Sequence, residues 1–454
     1  MTLPSPKRPP VSLQAAQAIA ARWPTPFHLY DEAQIRARVR ALQRAFAWNS
    51  GFREYFAVKA TPNPTLLGIL AEEGCGADCS SYAELVLADR VGLKKHDLMF
   101  SSNATPIADY RLAIDLGAIL NLDDISHIPV LDGLLESWPE TVSLRFNPGG
   151  VFAVTTDIMD NPGEAKYGLT RPQLTAAVRQ LLERGVRRIG LHAFLVSNTL
   201  AEAYYPKLAE LLFGTAVELR QETGCEIAFV NLSGGIGIPY RETEAAVDIA
   251  AVGAGVEKAF AKILIPADMG ETSIYLELGR WLLAPTGCLI ARVLHLKDTH
   301  RQYAGLDACA ADLMRPAMYG AYHHITVLGR EDAPRDHVYD VTGGLCENND
   351  KFAIGRELPE LRPGDFVCIH DTGAHGHAMG YNYNGKLRSA EILLTDDGHA
   401  RLIRRAERLE DYFATLGISG LLNDLDEYRE RTGLRAAAEL DSDPLQTTPL
   451  ELPD

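Results

Sequence analysis

The stretch EYFAVKATPN, Glu54 to Asn63, sets one lysine in an apolar run. Tyr55, Phe56 and Val58 favour a buried strand, and Thr61-Pro62-Asn63 ends it. Lysine is rarely buried without a partner or a task, so Lys59 is either a snorkelling, ion-paired side chain or an amine placed to react. YLELGR puts Glu277 and Arg280 at the end of another such run. There a carboxylate can hold a protonated ring nitrogen and a guanidinium can fork onto a substrate carboxylate; an internal ion pair is the alternative. NLSGGIGIPY brings Gly234, Gly235 and Gly237 just after a strand-like run. Their amides can close around a phosphate or simply form a tight turn. The spacing does not fit a dinucleotide fingerprint, because the third glycine is missing and Pro239 follows.

Three later stretches add reactive groups. GGLCENNDKF offers Cys346, Glu347 and Asp350 among glycines and polar residues, a setting for an exposed acidic thiol, although most free cysteines are small core residues. LMRPAMYGAYHH adds Arg315 and Tyr319, suited to gripping an anion. HDTGAHGHAMGYNYN holds His370, His375 and His377 beside Tyr383. No second ligand group is placed near these histidines, and no metal is expected.

Apolar runs and helical stretches alternate from about Pro26 to Arg280: FREYFAVKA into NPTLLGILAEEG, LGAILNL into DISHIPVLDGLLES, TVSLRFN and later RPQLTAAVRQLLERG. RRIGLHAFLVS, AYYPKLAELLFGTAVELRQETG, IAFVNLSGG, DIAAVGAGVEKAFAKIL and SIYLELGR continue the series. This alternation predicts a parallel sheet, and its length suits an eight-fold barrel better than an open doubly wound sheet. Charged residues at barrel strand ends face the catalytic mouth. After Arg280, GCLIARVLHLKD, HHITVLGR, HVYDVTGG, GDFVCIHDTG and SAEILLTDDGHARLIRR read as strands of an all-β domain. From about Gly420 a polar, partly helical tail is expected to be mobile.

The 454 residues allow two or three domains, and 46% hydrophobic with 23% charged residues is ordinary for a globular protein. A net charge of -16 argues against nucleic acid or an anionic membrane surface as partner. The N-terminus lacks a signal-like apolar segment, no stretch approaches a membrane span, and the seven scattered cysteines point to a reducing cytoplasm rather than a disulfide framework.

YFAVKA, LHAFLVSN, NLSGGIGIPY, ELGR, RPAMYGAYH, LCENND and DTGAHG...YNYN, in that order, resemble the fold-type III, pyridoxal 5'-phosphate-dependent decarboxylases, and among them the diaminopimelate decarboxylase family. The match runs from about Thr25 to Phe413. The resemblance implies an α/β fold: an alanine-racemase-like (β/α)8 barrel over residues 29–280 and a C-terminal β domain over 281–418. Residues 1–28 would pack with the β domain and 419–454 would form the tail. It also implies a homodimer whose active sites are shared between subunits. Lys59 and Cys346 then become the catalytic pair: the lysine holds the cofactor's aldehyde, and the thiol gives a proton to the carbon that lost carbon dioxide. Cofactor contacts fall to Lys59, Asp78, His192, Phe194, Ser197, Gly234, Gly235, Gly237, Glu277, Gly279, Arg280 and Tyr383, with Glu277 on the pyridine nitrogen. Substrate contacts fall to Arg280, Arg315, Tyr319, Glu347, His375 and Tyr383.

Two arginines suit a substrate with a distal carboxylate, which favours meso-2,6-diaminopimelate, with L-lysine as product, over plain ornithine or lysine. Four departures point to a divergent subgroup. Phe194 stands where the family stacks histidine on the cofactor, Leu278 replaces the proline of EPGR, His375 replaces the tyrosine of GAY, and GKLR with Lys386 and Arg388 follows YN. The alternatives are decarboxylation of a D-amino acid or a carboxylated polyamine precursor, and an inactive binding homologue. An alanine racemase would leave Cys346 without a role.

Overall fold

The computed structural model describes residues 6–150, 162–417, 425, 431 and 450–452. These fall into two units. One comprises Ile35–Pro239 and Thr243–Leu283; the other comprises the described residues up to Gln34, Tyr240–Glu242 and those from Ala284 onward.

The first strand, β1 (Phe27–Asp31), belongs to the second unit. The next eight close the first unit into a parallel barrel: β2 (Arg53–Ala57), β3 (Gly76–Cys79), β4 (Leu98–Ser102), β5 (Ile119–Leu122), β6 (Thr141–Arg145), β7 (Arg188–His192), β8 (Glu226–Asn231) and β9 (Ser273–Leu276). Closure runs through Arg53↔Tyr275 and Glu54↔Leu276. Apolar patterning finds six of these and passes over β3 and β4. Strand β3 is four residues long and contains Gly and Asp, both poor strand formers. Gly76 is there for space, since a Cβ would lie 2.7 Å from the Tyr55 ring. Likewise a Cβ on Gly190 would meet the Phe229 ring at 2.1 Å. The aromatic interior thus made, with Phe229 stacked on Tyr275 at 4.3 Å and Tyr55 5.1 Å from Tyr275, fills the barrel. A filled barrel confines chemistry to its rim.

Local signals set the helices between strands. Asn63 caps Pro64–Glu72, with Pro64 at the first position; Asp248 caps Ile249–Ile263; Gly224 ends Tyr204–Thr223 in the left-handed conformation. The helix expected over DISHIPVLDGLLES shrinks to His127–Asp132, stopped at Gly133.

The second unit contains β1 and β10 (Gly287–Asp298), β11 (Gln302–Leu306), β12 (Ile325–Val327), β13 (His337–Thr342), β14 (Lys351–Leu358), β15 (Phe366–Ile369), β16 (Ala390–Leu394), β17 (His399–Arg404) and β18 (Leu450–Glu451). Their order is β14-β13-β11-β10-β1-β16-β17-β18, with β15 pairing β10 and β12. The expected boundary at 28/29 moves to 34/35, because β1 pairs with β10 and β16 rather than with the barrel. At the far side it moves from 280/281 to 283/284, as the turn Arg280–Leu283 stays with the barrel. The helix Leu13–Arg22 buries Ala16 and Ile19 among Phe27, Leu29, Ile290 and Ile392. Most of the tail expected over 419–454 lies outside the described residues; Leu450–Glu451 pairs with β17. Among the described residues no helix is long and apolar enough to cross a membrane.

Candidate active site

All eight barrel strands deliver a polar or charged group to the C-terminal rim or just inside it. Lys59 follows β2 in the short turn Val58–Ala60, where it is exposed, since the turn carries it beyond the strand. Its Nζ lies 5.6 Å from the centroid of Phe194, which follows β7. Gly279 lays the exit turn of β9 on the lysine's own turn: a Cβ there would come within 2.6 Å of Ala60 Cβ. Lys59, Phe194 and the Glu277–Arg280 turn are therefore neighbours.

Glu277 is 6% exposed. Its Oε1 accepts from Asn231 Nδ2 at 2.7 Å, and its Oε2 from His192 Nε2 at 3.0 Å and Ser233 Oγ at 2.7 Å. Burial pushes its pKa up, but His192 and the three donors more than offset this and leave it at about 2. An ionised carboxylate offers about four lone-pair directions. Three are taken, so one remains for an N–H from outside the chain.

Asp78 on β3 is also buried, and its Oδ1 has no hydrogen-bond partner among the described residues. Burial first, and then the Glu277 charge, raise its pKa well above the ordinary value, with Lys59 and a Ser101 hydroxyl opposing. Glu54, buried on β2, shifts the same way for the same first reason. The rim thus holds one carboxylate ionised beside two that tend to keep their protons.

The glycine turn packs tightly. A Cβ on Gly234 would meet Glu277 O at 2.5 Å, and one on Gly235, at φ +116°, would meet Val196 O at 2.5 Å. Gly237 N–H bonds to Thr199 O at 2.8 Å and Ile236 N–H reaches the Tyr205 hydroxyl, so these two shape the turn. The amides of Gly234 and Gly235 remain as donors, with Ser197 half-buried nearby in the same packed segment. A Cβ on Gly234 would also lie 3.8 Å from Phe194.

Several rim residues carry no obvious sequence signal. Asn231 and Ser233 sit inside the glycine motif but show their purpose only through Glu277. Arg145 ends β6, donates to Asp123 Oδ1 at 3.2 Å and lies 4.2 Å from the Tyr167 ring. Arg145, Phe146, Asn147, Pro162, Tyr167 and Phe194 line a shallow cleft.

The second unit holds the remaining expected residues. Cys346 is exposed, and its N–H donates to Asn384 Oδ1 at 2.7 Å. Asp350 fixes that loop by accepting from Ala310 N–H and Leu345 N–H, both at 2.7 Å. Glu347 is exposed, as are Tyr319 and Tyr383. Arg315 is 3% exposed, and its Nη1 donates to the Tyr240 hydroxyl at 3.0 Å and His323 Nε2 at 2.9 Å. His375 is half-buried in the left-handed region at φ 57°. His370 bonds to Thr326 Oγ1, and His377 to Ser389 O and Arg388; burial lowers both imidazoles to about 3.

The barrel rim has the donor set of a pyridoxal phosphate site: an amine, a flat ring, two amides at a glycine turn and an ionised carboxylate with one acceptor direction to spare. The unpartnered Asp78 Oδ1 and His192 Nδ1 add polar atoms that a bound group could meet. Comparison with known proteins agrees. The family described as "Pyridoxal-dependent decarboxylase, pyridoxal binding domain" matches residues 32–284. Protein TabA of Pseudomonas amygdali pv. tabaci is 42% identical over 390 residues, covering 86% of this chain and 90% of its own. Diaminopimelate decarboxylase of Methanothermobacter thermautotrophicus is 33% identical over 401 residues, 87% of this chain and 92% of its own. The crystal structure of diaminopimelate decarboxylase from M. jannaschii with L-lysine superimposes with a TM-score of 0.83 at 30% identity, covering 89% of this chain and 94% of that one. The chain belongs to the fold-type III, pyridoxal-dependent decarboxylases. It is a carboxy-lyase with pyridoxal 5'-phosphate as cofactor.

Proposed function

We propose that the enzyme decarboxylates meso-2,6-diaminopimelate to L-lysine, the last step of lysine biosynthesis, as a cytoplasmic homodimer. The observation that carries this reading is Arg315, a buried guanidinium whose Nη1 is held by two neutral acceptors. His323 Nδ1 donates to His370 O at 2.8 Å, so its Nε2 is the acceptor from the arginine. A fork already oriented in this way loses little freedom on meeting a carboxylate. A substrate without a distal carboxylate would leave that preparation unused. The likeness to two diaminopimelate decarboxylases supports the same substrate.

Bound at this rim, pyridoxal phosphate would supply an electron sink for the pair released when the α-carboxylate leaves as carbon dioxide. Lys59 Nζ would be the amine that holds the cofactor's aldehyde. Glu277, ionised, keeps the ring nitrogen protonated. The Gly234 and Gly235 amides, with Ser197, would take the phosphate. Phe194 covers a ring face and excludes water without offering an N–H. The partner subunit's Cys346 delivers a proton to the carbon.

Incubating holoenzyme with meso-diaminopimelate, ornithine, lysine and D-amino acids, and identifying the products, tests the substrate. Carbon dioxide and L-lysine from diaminopimelate alone support the reading; turnover of another substrate with diaminopimelate inert refutes it. Mixing inactive Lys59→Ala and Cys346→Ala subunits tests sharing: recovery of roughly a quarter of native activity is expected of a symmetric dimer with composite sites. A mixture that stays inactive contradicts it. A second reading, decarboxylation of a related amino acid, is favoured by Phe194, His375 and the 42% identity to Protein TabA.

A further inference from the structure

Glu54 has no part in the chemistry above, yet it is a carboxyl only 3% exposed and close to the rim. The ladder between β2 and β9 ends at Glu54↔Leu276. Two residues on, the Leu278 N–H donates to Glu54 Oε1 at 2.6 Å. Leu278 is fully buried, so its N–H needs an acceptor, and Glu54 supplies it. On the other side, Glu277 N–H donates to Ser233 O at 3.0 Å. The carboxylate at position 277 therefore hangs from a backbone pinned at both flanking peptides, one of them by a side chain from the neighbouring strand.

We propose that Glu54 is a positioning residue: by accepting the Leu278 N–H it fixes the peptide that carries Glu277 and so aims that carboxylate at the cofactor's ring nitrogen. The inference rests on the reading of Glu277 given above. The task requires an acceptor at Oε1, not a negative charge. Burial, the largest influence on Glu54, favours its neutral form, and the neighbouring charges of Glu277 and Asp78 act the same way. Among the described residues its Oε2 has no hydrogen-bond partner. An ionised Glu54 would add a second buried negative charge beside the one the ring nitrogen needs. A neutral acid supplies the hydrogen bond and leaves Glu277 the sole anion of the pair.

The test is a double-mutant cycle on the holoenzyme, read by the cofactor's dissociation constant and the pH dependence of its bound spectrum, with thermal midpoint as a control. Proline, the residue of the family's motif at this place, removes the N–H. Glu54→Leu strands the Leu278 N–H and Leu278→Pro strands the acid, so each should weaken cofactor binding about tenfold. The Glu54→Leu/Leu278→Pro pair leaves neither partner unmatched and should return to within about threefold of native. Glu54→Gln, which keeps an acceptor oxygen and cannot ionise, should hold the cofactor with native affinity and an unshifted pH profile. The inference is overturned if the double variant shows the product of the single losses, or if Glu54→Gln loses affinity tenfold. It is equally overturned if Glu54→Leu lowers the thermal midpoint with affinity and spectrum intact. Glu277→Gln separates the two claims: if it leaves affinity and spectrum native, the reading of Glu277 falls. If it does not, and the cycle shows no coupling, only the role of Glu54 falls.

Discussion

The groups expected to act at the barrel rim and those expected to act from the second unit differ in how the chain treats them. At the rim they are bonded into one another: Glu277 is met by three donors, and Asn121 Nδ2 donates to Ser101 Oγ at 3.1 Å. Arg145 donates to Asp123. In the second unit, Cys346, Glu347 and Tyr383 stand on turns and Tyr319 ends a short helix; all four are exposed, and the Cys346 loop is braced from behind by Asp350 and Asn384. Lys59 is the exposed exception at the rim and Arg315 the buried one in the second unit; otherwise the bonded rim suits a fixed partner such as a cofactor, and the exposed turns suit a group that arrives. That contrast matches a division of labour in which the barrel keeps pyridoxal phosphate and the second unit serves a substrate, proposed here to bind in the barrel of another subunit.

The largest effect should come from Lys59→Ala, which removes the amine that holds the cofactor. Turnover should fall by roughly three orders of magnitude or more, and the absorbance of lysine-bound cofactor should vanish. A persisting band would mean the rim is not the anchor. Cys346→Ala should lower kcat by about 10²- to 10⁴-fold while leaving the bound-cofactor spectrum native; loss of cofactor would erase the contrast between the regions. Arg315→Ala should raise KM for diaminopimelate by roughly 10- to 100-fold with a smaller change in kcat, and an unchanged KM would remove the distal-carboxylate contact.

The smallest effect is on stability against pH, and here too the regions separate. The second unit buries imidazoles: His28 is lowered to about 4, and His370 and His377 to about 3, burial being the largest cause each time. The unfolded chain takes up these protons near the ordinary 6.5, whereas the folded chain does so only near 3 to 4. This contribution is complete above about pH 6.5 and is lost as pH falls, by up to about 1.4 kcal/mol per pH unit per histidine. Glu277, lowered from 4.5 to about 2, withdraws its contribution only below the usual carboxylate range. The raised carboxyls Glu54 and Asp78 act in the opposite sense, favouring folding in acid. Denaturant unfolding followed separately for the two units should show the second weakening between about pH 6.5 and 5 while the barrel holds. Parallel curves would contradict the contrast.

Lys59 and Glu277 are legible in the sequence because a charge inside or at the end of an apolar run has few uses. Cys346 is legible because glycines and polar residues surround it. Glu54 opens the same run as Lys59 and could have been found by the same argument, but its role depends on Leu278, more than two hundred residues away. Asn231, Ser233 and the Arg145–Asp123 pair are hidden for that reason: strand register, which periodicity does not print, brings their partners together. The barrel range expected from residue 29 cuts through β1, which pairs in parallel with β16, far along the chain. Gly237 fits the phosphate motif by spacing, but its amide is tied to Thr199.

The amine at Lys59 can be identified directly. Borohydride reduction of the holoenzyme fixes the cofactor to whichever lysine holds it, and peptide mass analysis then locates the label. The account predicts a pyridoxyl adduct on the peptide containing Lys59 and on no other. An adduct on a different lysine, with Lys59 unmodified, would contradict it.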